Sequence, residues 1–161
     1  MTKKPLVVAV LALAFCVQVG MQTSEAQQSL DIVRAAEAGD AHAQFEVGKM
    51  NLKLEGRQYK QRALEQFKKA AAQGHSGASY YSAVMYERGL GVAKNRKQAI
   101  TFYQRAANAG NPDAMYTLSK MYDEGVGDLK KDPKKAREWY DKALSWWDSG
   151  VTTETVLRHK N

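Results

Sequence analysis

The sequence holds one cysteine, three histidines and three prolines in 161 residues. A lone cysteine excludes an intramolecular disulfide and a thiolate-rich zinc site. His42, His75 and His159 show no His-x-x-x-His or histidine–carboxylate spacing, so no metal ligand set is indicated, and each reads as a solvated residue. His42 lies beside an N-cap, His75 in a turn and His159 in the tail. Serine chemistry is equally thin: no Gly-x-Ser-x-Gly occurs, and the Ser-Lys of "TLSKM" falls inside an expected helix. No Asn-x-Ser/Thr acceptor is present. The longest apolar run, Leu6 to Val17, is shorter than the about 20 residues a membrane-spanning helix needs.

That short run has its own meaning. Lys3 and Lys4 precede it, polar residues follow, and a small-x-small step closes it at Ser24-Glu25-Ala26, the layout of a secretory signal peptide over residues 1–26. Cys16 raises the alternative of a lipid anchor, but bulky Phe15 stands where lipid attachment wants a small residue. Cleavage after Ala26 leaves a mature chain from Gln27 without cysteine. The expected setting is a bacterial periplasm or secretion, with no transmembrane segment after cleavage. Removing Lys3, Lys4 and Glu25 takes the net charge from +7 to +6, so the chain stays basic toward anionic partners.

What is present is a repeat. Shifting the chain by 35 to 37 residues lays "AAAQGHSGASYYSAVMYERGLG" over "AANAGNPDAMYTLSKMYDEGVG". Ala43, Ala78 and Ala114 coincide, as do Phe45, Tyr80 and Tyr116, then Ala63, Ala99 and Ala136, then Phe67, Tyr103 and Tyr140, then Ala70, Ala106 and Ala143. Alanine, aromatic and alanine at i, i+4 and i+7 form one helical stripe, with small residues admitting a neighbouring helix. Asn111-Pro112 and Asp132-Pro133 start helices, and Gly39, Gly74 and Gly110 end them. Gly89-Leu90-Gly91 and Gly125-Val126-Gly127 then join two helices of one unit. A phosphate-binding loop would need a preceding strand and a third glycine, where Lys94 stands, so these are turns.

The pattern Ala-x-Tyr, Met-Tyr-x-x-Gly-x-Gly, Ala-x-x-x-Tyr-x-x-Ala, Gly resembles the SEL-one-like repeat (SLR), a relative of the tetratricopeptide repeat. It covers three units, about 36–70, 71–106 and 107–144, after a half-unit at 29–38. The solenoid spans 27–149 and a polar tail 150–161. The first unit departs from the pattern, with Asn51 in place of tyrosine and a single glycine in Leu54-Glu55-Gly56, which leaves the conformation of 52–60 open. The resemblance implies an all-α, right-handed α/α solenoid without cofactor or metal. It also implies a non-enzymatic protein that binds another protein in the cell envelope, as scaffold, regulator, inhibitor or immunity-type binder. The alternative is a periplasmic hydrolase or β-lactam-binding protein, as in a cysteine-rich branch of the family whose disulfide pattern is absent here.

In such proteins the first helix of each unit lines the concave surface, so the resemblance places Glu46, Lys49, Lys53, Tyr81, Arg88 and Lys120 toward a partner. Tyr81 and Arg88 are the foremost candidates, because large aromatic and guanidinium groups dominate binding hot spots. A second set comes from charge alone. Lys94, Arg96, Lys97, Lys130, Lys131, Lys134 and Lys135, with Arg57, Lys60 and Arg62, all fall in the linker or first turns of a second helix. Repetition lines them along one edge. Cations there oppose the helix dipole, so local stability does not account for them, leaving solubility or an anionic partner. Nucleic acid is not expected of an exported chain without a nucleic-acid-binding motif. Trp146 and Trp147, about 100° apart on one helix, cannot both enter the same seam, and one is expected to cap the open end.

Overall fold

The structure is a computed structural model that describes residues 24–149. Residues 1–23 of the expected signal peptide (1–26), Cys16 among them, and the tail from 150 lie outside the described residues. Those described form seven α-helices: α1 (24–37), α2 (Ala41–Lys53), α3 (Arg57–Ala72), α4 (Ser76–Arg88), α5 (Arg96–Asn108), α6 (Pro112–Glu124) and α7 (Pro133–Asp148). From α2 onward each helix packs on its chain neighbour, most extensively within the pairs α2/α3, α4/α5 and α6/α7, which makes an α/α solenoid.

Turns between units follow one recipe. In Gln73-Gly74-His75 and Ala109-Gly110-Asn111 the glycine has positive φ, 89° and 87°, a region that costs a side chain with a Cβ. The next N–H reaches back five residues, from His75 to the Ala70 carbonyl and from Asn111 to that of Ala106, closing the helix end in a Schellman motif. The same third residue caps the helix that follows: Asp40, His75 and Asn111 accept from the N–H of Ala43, Ala78 and Ala114. Sequence thus sets a helix stop and a helix start within three residues.

The aligned alanines form the seam. Ala63, Ala70, Ala78, Ala83, Ala106, Ala114 and Ala143 have no exposed surface, and Phe67, Tyr103, Met85 and Leu118 fill the space among them. Where α2 meets α3 the approach is close: a Cβ added at Gly48 would stand 2.5 Å from the Phe67 ring.

Linkers inside the units differ. Residues 89–95 and 125–132 start from left-handed Gly89 and Gly125, and fold back so that Asn95 N–H meets the Tyr86 carbonyl and Asp132 N–H that of Tyr122. The first unit, left open by sequence, has only 54–56 between its helices. Here Lys60 Nζ donates to the carbonyls of Leu52 and Leu54 at the end of α2, supplying in the absence of a left-handed glycine the donor those carbonyls need.

Candidate functional site

On the first-helix face the six expected contact residues are not equivalent. Tyr81 is half-buried. Its ring stacks on Phe67 of the preceding unit at 5.2 Å and meets Phe45 edge-on at 5.7 Å, so it fills the notch between α2 and α3 rather than standing free as an anchor. Arg88, seven residues on, is exposed and has no carboxylate of the described residues within 4.0 Å. Lys49 pairs with Glu46 at 2.9 Å and lies over the Phe45 ring, while Lys120 lies over the Tyr116 ring at 4.7 Å. Lys53 is exposed in the last turn of α2, where its charge suits the helix dipole.

Between α4 and α5 lie two tyrosines that the repeat pattern marks only as aromatics, and a carboxylate, Glu87, that lies outside the pattern. Tyr103 Oη donates to Glu87 Oε2 at 2.7 Å, tying α5 to α4. Burial, then this bond to Glu87, hold the Tyr103 hydroxyl far above its ordinary 10. Tyr80 is also raised, by burial and then by Asp113. Both stay neutral.

His75 corrects the expectation of a solvated turn residue. It is 8% exposed, stacks on Phe45 at 4.3 Å, and caps α4 through Nδ1. Its signal was present in register: the aligned positions hold Asp40 and Asn111, both cap formers. Accepting a bond at Nδ1 requires the neutral ring. Burial, then His42, lower the His75 pKa below 6.5, against smaller opposing effects of Glu46, its own backbone hydrogen bond and Asp40. The sign follows directly. As pH falls through 6.5 the unfolded chain takes up a proton that the folded chain resists, so stability present above that value is lost below it. His75→Asn keeps a cap of the kind Asn111 provides. It is expected to flatten the melting temperature between about pH 7 and pH 5 relative to the unsubstituted chain; an unchanged slope would locate the acid sensitivity elsewhere.

The linker edge is continuous in space. A Cβ added at Gly91 would lie 2.7 Å from the backbone of Lys60, so the α4–α5 linker rests on the start of α3. One added at Gly127 would lie 3.1 Å from the Arg96 side chain, so the α6–α7 linker rests on the start of α5. These contacts join Arg57, Lys60 and Arg62 to Lys94, Arg96 and Lys97, and those to Lys130, Lys131, Lys134 and Lys135. All but Lys60 are exposed. Only Lys135 has a carboxylate of the described residues within reach, Asp132 at 3.7 Å. The other four ion pairs of the described residues lie off this edge.

Trp146 and Trp147 lie in different surroundings, as their angular spacing requires. Trp146 packs against the core and the Gly110 turn, whereas Trp147 is 46% exposed and leans on Tyr116. Tyr140, aligned with buried Phe67 and Tyr103, is 37% exposed, because among the described residues no further unit covers it. Among the described residues no cluster of three or more His, Cys, Asp or Glu could hold a metal ion, and no helix is long and apolar enough to cross a membrane.

The profile of the Sel1 repeat family matches residues 41–75, 76–111 and 112–145, each match opening at the first residue of α2, α4 or α6. Three solved structures share the fold. A Sel1 repeat protein from Oxalobacter formigenes is 34% identical over 71% of this chain and 33% of its own, with TM-score 0.62. The protein c5321, a protective antigen of uropathogenic Escherichia coli displaying an SLR fold, is 30% identical over 73% of this chain and 25% of its own, with TM-score 0.65. The immunity protein Pa5087 from Pseudomonas aeruginosa is 25% identical over 71% of this chain and 43% of its own, with TM-score 0.57. The chain therefore matches less than half the length of each. Among curated proteins none matches significantly.

Proposed function

The chain belongs to the Sel1 repeat family, and from that premise we propose that it is an exported, non-enzymatic binding module for a protein of the cell envelope. The fold supports this reading through its surface. Solenoid units present side chains along continuous faces instead of converging them on one enclosed site, and the clefts of the described residues are open to solvent. Names such as protective antigen and immunity protein among its structural neighbours are compatible with a binding role in that setting. Export rests on Lys3, Lys4 and the run from Leu6 to Val17.

Arg88 is the observation that carries the contact assignment. It stands in the middle unit, exposed and free of any described carboxylate, in the last turn of the helix whose Tyr81 is held by Phe45 and Phe67. A guanidinium presented from a rigid helix suits the bidentate grip of a partner carboxylate. The test begins with protein recovered from the envelope fraction, whose N-terminus should lie near Gln27. Used to capture its partner from periplasmic extract, it should lose more than about 1 kcal/mol of binding on Arg88→Ala with little change in melting temperature. Tyr81→Ala should lower both, since its ring fills the notch between units. Recovery of an unprocessed cytoplasmic chain or a lipid-modified Cys16 form would overturn soluble export, and undiminished capture by Arg88→Ala would remove Arg88 from the interface.

A further inference from the structure

We infer that the linker edge is a docking strip for an extended acidic polypeptide segment carrying interspersed aliphatic side chains. The inference deepens the reading of the chain as a protein-binding module and rests on it. Ten cations lie on this edge, in 54–62, 89–97 and 125–135, against three carboxylates, Glu55, Asp128 and Asp132. The surplus of seven exceeds the +6 of the chain from Gln27, so the rest of that chain sums to −1 and the edge alone carries the positive excess.

Local structure does not call for that arrangement. The first turns of α3, α5 and α7 contain no acidic residue, although a carboxylate there would suit the dipole and a cation does not. The contrast within the same helices is sharp. Lys69, Arg105 and Lys142, one per unit near the far end of each second helix, are accounted for: Lys69 pairs with Glu65, Arg105 lies over Phe102, and Lys142 lies over Trp139 at 4.3 Å. On the edge Arg62 lies over Tyr59, Lys135 lies over Tyr122 near Asp132, and Lys60 is tied to the Leu52 and Leu54 carbonyls; the other seven edge cations have no such partner among the described residues.

The ground between the cations selects the partner. Leu90, Val92, Val126 and Leu129 are partly buried against the core and lie in the same linkers, so charged clusters alternate with aliphatic surface. Arg57, Lys60 and the Gly89 to Ala93 linker line an open cleft between the first two clusters. A glycan or polyphosphate of unbroken charge would leave the aliphatic stretches unmatched. A bilayer would want aromatic or large apolar groups to insert, and of the large hydrophobics most exposed among the described residues only Leu54 lies in a linker. A polypeptide that alternates acidic and aliphatic side chains meets both kinds of ground.

The probe is a fluorescein-labelled peptide of glutamate pairs separated by leucines, followed by anisotropy against the full chain at rising salt, with heparin as competitor. Binding should weaken with salt, and the combined Lys94→Glu, Arg96→Glu, Lys97→Glu variant should weaken it at least about tenfold. The matched control Lys69→Glu, Arg105→Glu, Lys142→Glu changes net charge equally and should leave affinity within about twofold; glutamine versions of both sets guard against loss of fold. Equal weakening by edge and control variants would reduce the effect to net charge and overturn the strip. So would absence of peptide binding at low salt, or preference for heparin over the peptide. Because the probe is synthetic, each of these results is read independently of whether Arg88→Ala affects the captured envelope partner.

Discussion

Phe67→Ala is expected to lower the unfolding free energy by about 3–5 kcal/mol. The ring has no exposed surface and sits where two units and both helices of the first unit converge. Phe45 lies 5.8 Å away and Tyr81 5.2 Å away, and the α2 backbone at Gly48 presses on the ring edge. Truncation leaves a cavity walled on one side by helix backbone, which cannot relax inward without moving the whole of α2. In a stack stabilised by nearest neighbours, such a loss weakens both the first pair and its junction with the second, so the first unit should open before the rest. Tyr140→Ala removes the aromatic at the same register position but from a site 37% exposed, and should cost less than about 1 kcal/mol. Urea denaturation of the two variants separates these outcomes; equal losses would mean that the aromatics do not form one continuous core.

The same pair shows how far the sequence could be read. Alignment of alanines, aromatics and glycines placed the helices, because each pattern reports a constraint local to one unit: a stripe, a cap or a turn. Coverage by a neighbour is not local. Phe67, Tyr103 and Tyr140 are indistinguishable in the repeat pattern, yet among the described residues only the first two have a further unit packed beside them. Tyr81 aligns with Glu46 and Thr117, so it reads as a variable surface position, and only the stack reveals Phe45 and Phe67 around its ring. At position 137 an exposed arginine replaces the buried Leu64 and Ile100 of the earlier units, so that register position is polar in the third unit. The cap role of His75 is legible in register, because its aligned neighbours Asp40 and Asn111 are cap formers, although histidine is not among the residue types that ordinarily cap helices. The linker edge was visible as composition. Its continuity was not, since that depends on what the second glycine of each Gly-x-Gly touches.

Gly91→Ala is the substitution that tests this last point, and it should destabilise by about 2–5 kcal/mol. Two costs combine. Gly91 has φ of 74°, a left-handed conformation that a residue with a Cβ adopts at about 1–2 kcal/mol. The new methyl would also stand 2.7 Å from the carbonyl carbon and Cβ of Lys60 and 2.8 Å from the Gln61 nitrogen, which is helix backbone and cannot turn aside as a flexible side chain would. Overpacking of that kind adds about 1–3 kcal/mol. Gly74→Ala isolates the first cost, because φ there is 89° and nothing lies within 4 Å of an added Cβ. The difference in urea midpoint between the two variants therefore measures the contact alone. Relief of the clash requires the 89–95 linker to lift from α3, separating Lys94 and Arg96 from Lys60 and breaking the cation strip between its first two clusters. Gly91→Ala should then also weaken binding of the acidic peptide under conditions where the protein remains folded, whereas Gly74→Ala should not. Similar midpoints and similar peptide affinities for the two variants would show that the linker does not rest on the preceding helix, and would remove the structural basis for a continuous edge.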